Sequence, residues 1–338
     1  MISIRRCEKD DIASVIQFIE LEWNPNHILV KNRNLLEWQH GNTDGYNFIL
    51  AWDGNVLVGV LGYIPTRRYD DELSMNNILW MALWKVREEV QSSMVGLKLL
   101  KELENIENNA ALAVHGINLK HLPLYKALGY QVYELEQYYI ANPDVSHNIL
   151  HNPERLPIAT SNYGTASLEI LSLSDLENLK LPIETASSYK TPKYFMRRFI
   201  QHPFYKYVVY GIVMGDKMSA IMSTRIVEHN GSSILRIVDF IGDKGVLGDC
   251  GSGLQKLMSE SCLEYIDFWQ YGISSKILKR AGFQKVKPTG KLICPNYFEP
   301  FVVKNSRQFC CIKGNNHSPF VFCRADGDQD RPNVLLYS

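Results

Sequence analysis

The first 130 residues of the chain alternate between two hydrophobic spacings, one typical of strands and the other of helices. Apolar positions from Ile12 to Ile19 recur every three or four residues, which predicts a helix after the acidic residues 8–11. The same spacing predicts helices at 34–40 and 97–106. Short apolar runs predict strands at 2–6, 46–51, 56–63, 78–86 and 110–114, with the second and third joined in a hairpin.

The stretch between Val114 and Tyr130 has the pattern of a strand end, a turn and a helix. The strand is expected to stop at Gly116, and Asn118 is a residue type that opens helices. Gly129 is expected to end the helix, because glycine enters the left-handed conformation of a helix cap without steric cost. The chain therefore turns sharply on both sides of a short helix.

The second half of the chain repeats the first half loosely. His40 and His202 each follow a glutamine, and Gly54 and Asp216 lie in equivalent turns; both pairs are 162 positions apart. The pattern therefore predicts two similar domains in tandem.

A connection between the two domains is predicted at 146–165, where Pro, Asn, Ser and His are common. The domains then span 1–145 and 166–338, and the second carries an extension after Phe283. A chain of 338 residues is long enough for two separate cores.

The overall charge argues against partners that bind through a long-range electrostatic field. The 36 basic and 36 acidic residues balance to a formal net charge of +0, so neither nucleic acid nor a membrane is expected as a partner. No apolar run approaches ~20 residues, and the N-terminus lacks the apolar core of a signal peptide. A cytoplasmic location is expected, and whether the chain forms a homodimer is left open.

The cysteines and aspartates do not form a recognisable metal motif. The 7 cysteines are an odd set without a Cys-x-x-Cys pair, which indicates reduced thiols. Asp326, Asp328 and Asp330 alternate as in a calcium loop, but the glycine and closing glutamate of such a loop are absent. We expect a solvated turn here; the alternative is that Arg331 and its acidic neighbours face a ligand cleft.

Two motifs in the N-terminal half resemble the acyl-CoA site of GCN5-related N-acetyltransferases (GNAT). Asn118, followed by Tyr125 and then Leu-Gly-Tyr, resembles the second half of that site. The junction at 91–96 resembles the first half, which in the family reads Gln/Arg-x-x-Gly-x-Gly/Ala, although Met94 replaces the first glycine. The resemblance implies an α/β fold of two tandem GNAT-like domains, each a mixed, mostly antiparallel sheet flanked by helices.

The same resemblance implies acyl-CoA as co-substrate and no metal. Tyr125 would lie beside the thioester sulfur, where a phenol stabilises the departing thiolate. His115 and Asp239 are candidates for the base that deprotonates the acceptor amine, and each has a structural role as its alternative. The residues implied to hold acyl-CoA are Val86, Gln91, Ser92, Ser93, Val95, Gly96, Leu97 and Asn118.

The second copy departs from the family pattern at its key side chains. Leu278 stands in the position of Tyr125, and Tyr271 in that of Asn118. Its loop at 248–253 is richer in glycine than the first copy's loop, so an exchange of roles between the halves is an alternative.

Two further stretches resemble bacterial sugar N-acyltransferases of the tandem GNAT class. They are Trp23-Asn-Pro-Asn-His-Ile-Leu and Asp-Gly-Asp-Gln-Asp-Arg-Pro-Asn near the C-terminus. The resemblance implies transfer of an acetyl or 3-hydroxybutanoyl group to a dTDP-linked 3-amino-3,6-dideoxyhexose for surface polysaccharide. The alternatives are an aminoacyl or peptidyl transferase and an acyl-CoA-binding sensor. Acceptor contacts are expected from Trp23, Asn24, His27, Trp38, Tyr271 and Arg331.

Overall fold

The N-terminal half alternates strands and helices much as its hydrophobic spacing predicts. The computed structural model describes residues 2–106, 110–153, 164–181, 189–314 and 321–335, with only the main chain of residues 91–93. Its elements are β1 (Ile2–Glu8), α1 (Ile12–Glu22), α2 (Ile28–Lys31), α3 (Arg33–His40), β2 (Gly45–Asp53), β3 (Val56–Pro65), β4 (Ile78–Val86), α4 (Val95–Ile106), β5 (Ala111–His115), α5 (Leu122–Ala127) and β6 (Gln131–Ala141).

The C-terminal half follows the same plan and adds short strands near its end. Its elements are β7 (Ser167–Ile170), α6 (Leu173–Asn178), α7 (Pro192–Phe195), β8 (Val208–Met214), β9 (Lys217–His229), β10 (Ser232–Gly242), α8 (Lys244–Leu247), α9 (Gly251–Glu260), β11 (Tyr265–Tyr271), α10 (Ser275–Arg280), β12 (Gln284–Lys285), β13 (Gln308–Lys313) and β14 (Phe322–Cys323). A π-helical turn, Met196–Ile200, continues α7.

Several 3₁₀ turns connect these elements. Two of them border the predicted acyl-CoA loops, at Glu88–Ser93 and Leu119–His121. The helix predicted at 97–106 begins two residues earlier, at Val95. Asn118 does open the turn that leads into α5, and Gly129 adopts the left-handed conformation with φ 85°. The local turn chemistry expected from the sequence is therefore present.

One mixed sheet of 14 strands runs through both halves, in the order β1-β2-β3-β4-β5-β13-β6-β11-β10-β9-β8-β7, with β12 and β14 beside this path. Neighbouring strands are mostly antiparallel; β4 with β5 and β10 with β11 are parallel. Strand β13, late in the chain, lies between β5 and β6, and β6 in turn pairs with β11. The halves thus exchange strands. Residues 154–163 of the linker predicted at 146–165 lie outside the described residues, so that linker stays a prediction.

Helices cover both faces of the sheet in each half. In the N-terminal half, α4 and α5 pack on one face, and α1 and α3 pack on the other. Leu99 and Tyr125 belong to the first of these cores, and Val15 and Leu36 to the second. In the C-terminal half, Leu254 of α9 and Leu278 of α10 share one core. These layers leave the strand ends as the places where side chains from several elements meet.

Candidate active site

The sheet opens between β4 and β5, where the pairing of the two parallel strands stops. The register runs from Ile78 opposite Ala111 to Met81 opposite Val114, and no partner in β5 follows within the described residues. On the other side, β3 skips Ala82, which is the extra residue of a β-bulge. Around Ala82 the ladder is therefore interrupted on both sides of β4.

The bulge changes which side chains of β4 face α4 and α5. Leu79 and Met81 pack in the core beneath these helices, and simple alternation would place Leu83 there next. Instead, Leu83 packs on the opposite face, while Trp84 and Val86 join the α4–α5 core. The extra residue thus brings Trp84 to the side of the sheet that carries both predicted acyl-CoA motifs.

Trp84 contacts both of the predicted acyl-CoA motifs. A Cβ placed on Gly96 would lie 3.5 Å from the Trp84 Nε1 atom, so the first turn of α4 passes close over the indole. The Trp84 ring meets Tyr125 edge to face, with centroids 6.4 Å apart. Sequence reasoning missed this tryptophan, although a large aromatic residue near the end of β4 was visible.

Tyr125 is buried in α5, with 6% of its surface exposed, and its ring also packs against Tyr130 at 5.3 Å. No group in the described part of the chain hydrogen-bonds to its hydroxyl. Burial raises the pKa of Tyr125 far above its ordinary value. The phenol is therefore protonated at neutral pH and can donate a hydrogen bond.

Met94 explains why a glycine is usual in the first motif. Its backbone is left-handed, with φ 59°, a conformation that costs a side-chain-bearing residue about 1–2 kcal/mol. Helix α4 begins at the next residue, Val95, whose side chain is buried in the core. The first amide groups of a helix have no intrahelical partner, so those near Gly96 can bind an anion.

The other predicted acyl-CoA contacts differ in what they offer. The main chain of Gln91, Ser92 and Ser93 forms the 3₁₀ turn before Met94, and their side chains lie outside the described residues. Leu97 is half-buried. Asn118 is exposed, and its side-chain oxygen accepts a hydrogen bond from the Lys120 amide at 3.1 Å. Because that oxygen holds the turn, the amide N–H₂ group is the part of Asn118 that can contact a ligand.

Two solved structures share this architecture at low sequence identity. A GCN5-related N-acetyltransferase from Anabaena variabilis superimposes with a TM-score of 0.57 and 10% identity, covering 93% of this chain and 72% of that one. A protein of unknown function from Enterococcus faecalis, described as a probable N-acyltransferase, gives a TM-score of 0.56 and 9% identity, with coverages of 91% and 72%. This chain has the GNAT fold. No family model and no curated protein sequence matches it.

Within the GNAT fold of the N-terminal half, His115 ends β5 beside the opening. Its Nδ1 atom lies 2.9 Å from the main-chain oxygen of Asp326, and a carbonyl oxygen can only accept, so Nδ1 carries the proton. The Nε2 atom is buried and has no hydrogen-bond partner in the described part of the chain. Burial lowers the pKa of His115 to about 4, so the ring is neutral at pH 7.

Asp239, the second predicted base, is part of a buried ionic group. Lys190 Nζ lies 2.6 Å from Asp239 and 2.9 Å from Asp326, and all three side chains are essentially inaccessible. Burial raises the pKa of Asp239 and that of Asp326, the latter to about 6, while the Lys190 ammonium opposes both shifts. The Asp239 carboxylate is therefore engaged in an ion pair within the fold.

The expectation of a solvated turn at the C-terminal aspartates is wrong. Asp326, Asp328 and Asp330 are 1%, 6% and 2% exposed. Charge partners from distant parts of the chain allow this burial, because an unpaired buried carboxylate would be too costly. Asp330 binds Arg198 at 2.9 Å and accepts a hydrogen bond from the Tyr207 hydroxyl.

Arg331 lies beside the opening, on the face opposite Trp84. Its guanidinium binds Asp328 at 2.9 Å and Gln39, and its Nε and Nη1 atoms are buried without a partner in the described residues. A void of about 10 Å³, room for one water, separates it from Ala82 and Leu83. The C-terminal segment therefore covers the face of the bulge opposite Trp84.

The remaining predicted acceptor residues are spread around this segment. His27 is buried, caps α2 through its Nδ1 atom and bridges to Val334, and burial lowers its pKa to about 4. Trp23 is 46% exposed at the end of α1, and Asn24 holds the turn that follows by accepting from the Asn26 amide. His27 thus contacts the C-terminal segment directly, whereas Trp23 and Asn24 lie in the more exposed part of the same loop.

Trp38 and Tyr271 lie at the junction of the halves. Trp38 packs against Tyr69 at 5.4 Å and His202 at 4.6 Å. Tyr271 pairs with Phe322 of β14, and its ring contacts Tyr133 at 4.7 Å. The elements that carry Trp38, His27 and Arg331 contact one another. Tyr271 instead contacts β14 and β6.

The corresponding opening in the C-terminal half is closed by the chain itself. Pairing of β10 with β11 also stops before a bulge, at Val238. Here the Ala325 amide donates to the Val238 oxygen at 2.8 Å, and β14 pairs with the end of β11. A Cβ on Gly253 would lie 2.9 Å from Leu168 Cγ, so this glycine permits close packing between α9 and β7.

The described residues lack two other kinds of feature, a membrane-spanning helix and a metal-binding cluster. Among the described residues, no helix is both long and apolar enough to cross a membrane. No cluster of three or more His, Cys, Asp or Glu side chains suited to a metal ion occurs in the same part of the chain.

Proposed function

We propose that this protein is an acyl-CoA-dependent N-acyltransferase whose N-terminal half binds the acyl-CoA. The observation that carries the proposal is the opening at the β4 bulge, where Trp84 contacts both the first turn of α4 and the Tyr125 ring. In the C-terminal half, the equivalent opening is filled by residues 322–325, and Arg280 packs over Gly248 of the glycine-rich loop. This difference supports the assignment of acyl-CoA to the first copy.

The residues present suit the two ends of coenzyme A. The left-handed turn at Met94 and the start of α4 present main-chain amides, which favour a pyrophosphate through hydrogen bonds and the positive helix end. Asn118 offers its amide N–H₂ at the start of the second motif. Acyl-CoA would supply the activated acyl group.

The Tyr125 hydroxyl would donate a hydrogen bond to the sulfur of the departing thiolate, because negative charge develops on that atom. His115 is the better placed of the two candidate bases. Its Nε2 lone pair has no partner among the described residues, and it ends the strand beside the opening. Asp239 is paired with Lys190 and belongs to the closed half. Binding both substrates in one cleft would lower the barrier further by orienting the amine.

For the acceptor, we propose a nucleotide-linked amino sugar, of the dTDP-3-amino-3,6-dideoxyhexose kind, bound between the halves. Trp38 and His27 offer an aromatic ring and an imidazole for such a ligand. Arg331 offers a guanidinium that is only partly paired within the described residues. An aminoacyl transferase acting on transfer RNA would be expected to carry a basic surface, whereas this chain has a formal charge of +0.

Gly96→Asp should weaken coenzyme A binding by well over tenfold. The carboxylate would face the pyrophosphate at the start of α4, whereas an acidic residue in the first turn of a helix does not harm the helix itself. Isothermal titration calorimetry measures the effect. Gly96→Ala is the matched control, because its Cβ would make only ordinary contact with Trp84.

Ser252→Asp makes the equivalent test of the C-terminal half, since Ser252 is exposed in the first turn of α9. Its coenzyme A affinity should equal that of the unmodified protein. If Ser252→Asp loses affinity while Gly96→Asp keeps it, the halves have been assigned the wrong way round.

A nucleotide-linked amino sugar should raise the melting temperature when coenzyme A is present. A ligand at a hundred times its Kd adds about 2.7 kcal/mol to the free energy of unfolding. Thermal melts with dTDP- and UDP-linked amino sugars, followed by an assay of thiol release, measure binding and turnover. Efficient acylation of a lysine peptide or a polyamine, without stabilisation by any nucleotide sugar, would leave the acyltransferase proposal standing and refute the sugar.

A further inference from the structure

A cavity of about 840 Å³ lies between α3, the turn Thr66–Arg68 and the π-helical turn Met196–Ile200. Its volume is in the range of small-molecule sites, and both halves of the chain contribute to its wall. Neither Trp84 nor Tyr125 lines it, so it is distinct from the predicted acyl-CoA loops.

Four arginines line this cavity, namely Arg6, Arg67, Arg68 and Arg197. The carboxylates in its wall, Glu8, Asp44 and Asp71, are all exposed. The wall therefore carries a formal charge of +1 in a chain whose total is +0. Guanidinium groups recognise phosphate oxygens through paired hydrogen bonds, which suits an anionic ligand.

The arginines in and beside the cavity wall differ in their hydrogen-bond and ion-pair partners. Arg68 donates to the main-chain oxygen of Glu37 at 2.8 Å and to the oxygens of Trp38 and Gly41, so it caps the end of α3 and fixes Trp38. Arg198 is buried with Asp330. Its neighbour Arg197 is half-buried and makes no hydrogen bond or ion pair with any described residue. Arg197 is thus available to a ligand.

The inner wall of the cavity leads toward β4. Tyr69 and Trp38 form part of this wall, with their rings 5.4 Å apart. Tyr69 also borders a smaller void that reaches Trp80 of β4 and Gly327 of the C-terminal segment. A ligand in the cavity would therefore lie one side chain away from the strand that carries the bulge.

We propose that this cavity binds a diphosphate group of the acceptor, with Arg197 as the main phosphate contact and Trp38 beside the attached ring. The identity of the ligand as an acceptor rests on the proposed function, whereas the binding of a diphosphate in the cavity does not. The arrangement would hold the charged part of the acceptor outside and direct its amine inward toward β4.

Calorimetry with pyrophosphate, dTDP and thymidine tests the proposal on the full chain without acyl-CoA. The unmodified protein should bind pyrophosphate and dTDP, and Arg197→Gln should weaken dTDP binding about ten- to a hundredfold, the worth of a hydrogen bond to a charged group. Arg197→Glu should weaken it further. The control Arg307→Gln removes an exposed arginine that pairs with Glu134, and should bind dTDP normally.

Equal dTDP affinity in Arg197→Gln and the unmodified protein would overturn the proposal, as would the absence of binding by both phosphate probes. Thymidine binding as tight as dTDP binding would also overturn it, because the phosphates would then contribute nothing. If dTDP binds through Arg197 but no amine is acylated, the cavity stands and the proposed function fails. If Arg197→Gln acylates the amino sugar with an unchanged KM for the nucleotide sugar, the proposed function stands and the cavity proposal fails.

Discussion

Lys190→Met should destabilise the protein by about 3–5 kcal/mol, the usual cost of removing one partner from a buried ion pair. Methionine fills a similar volume, but Asp239 and Asp326 would lose their counter-charge at sites that are 0% and 1% exposed. The ammonium now lies 2.6 Å from one carboxylate and 2.9 Å from the other. Urea unfolding followed by circular dichroism measures the loss.

Lys256→Met is the matched control, because Lys256 forms only an exposed pair with Glu260 at 3.8 Å and should hardly change the urea midpoint. A triple variant, Lys190→Met with Asp239→Asn and Asp326→Asn, should recover part of the lost stability, since no charge is then left buried alone. An effect of Lys190→Met no larger than that of the control would show that the three groups do not depend on one another.

Tyr125→Phe should lower kcat by roughly ten- to a thousandfold while the KM for acyl-CoA changes little. Phenylalanine keeps the ring contacts with Trp84 and Tyr130, so the fold and the acyl-CoA cradle should survive. Only the hydroxyl, the proposed donor to the departing sulfur, is lost. Release of free thiol in the presence of an acceptor gives the rate.

Tyr130→Phe provides a close comparison, because Tyr130 packs against Tyr125 and its own hydroxyl is buried without a hydrogen-bond partner in the described residues. That variant should retain nearly full activity. Full activity in Tyr125→Phe as well would make Tyr125 a packing residue, and the proposed donor would have to be sought elsewhere.

Local sequence was enough to predict most elements and several turns. Strand β4 has the predicted bounds, Ile78–Val86, and the hairpin between β2 and β3 turns at Gly54, whose φ is 56°. Such features depend on residues near one another in the chain, whose hydrophobic spacing and backbone preferences can be read directly. The acyl-CoA motifs were recognisable for the same reason, since each spans fewer than about 20 residues.

The sheet order could not be read in this way. Strand β13 looks like any short apolar strand, yet it inserts between β5 and β6 and joins the two halves. The bulge at Ala82 is likewise a property of the pairing between β3 and β4, and it alone brings Trp84 to face Tyr125. Both depend on partners that are distant in sequence.

The C-terminal aspartates show most clearly the difference between what local sequence predicts and what distant partners decide. Their sequence, polar and rich in turn residues, is typical of a solvated segment, and that expectation failed. Asp326 and Asp330 are buried because Lys190 and Arg198, more than a hundred positions earlier in the chain, meet them there. Sequence by itself determined the strands, helices, caps and motifs, whereas only the tertiary structure decided which charges could leave water, because burial of a charge requires an opposite charge or hydrogen-bond donors brought close by the fold.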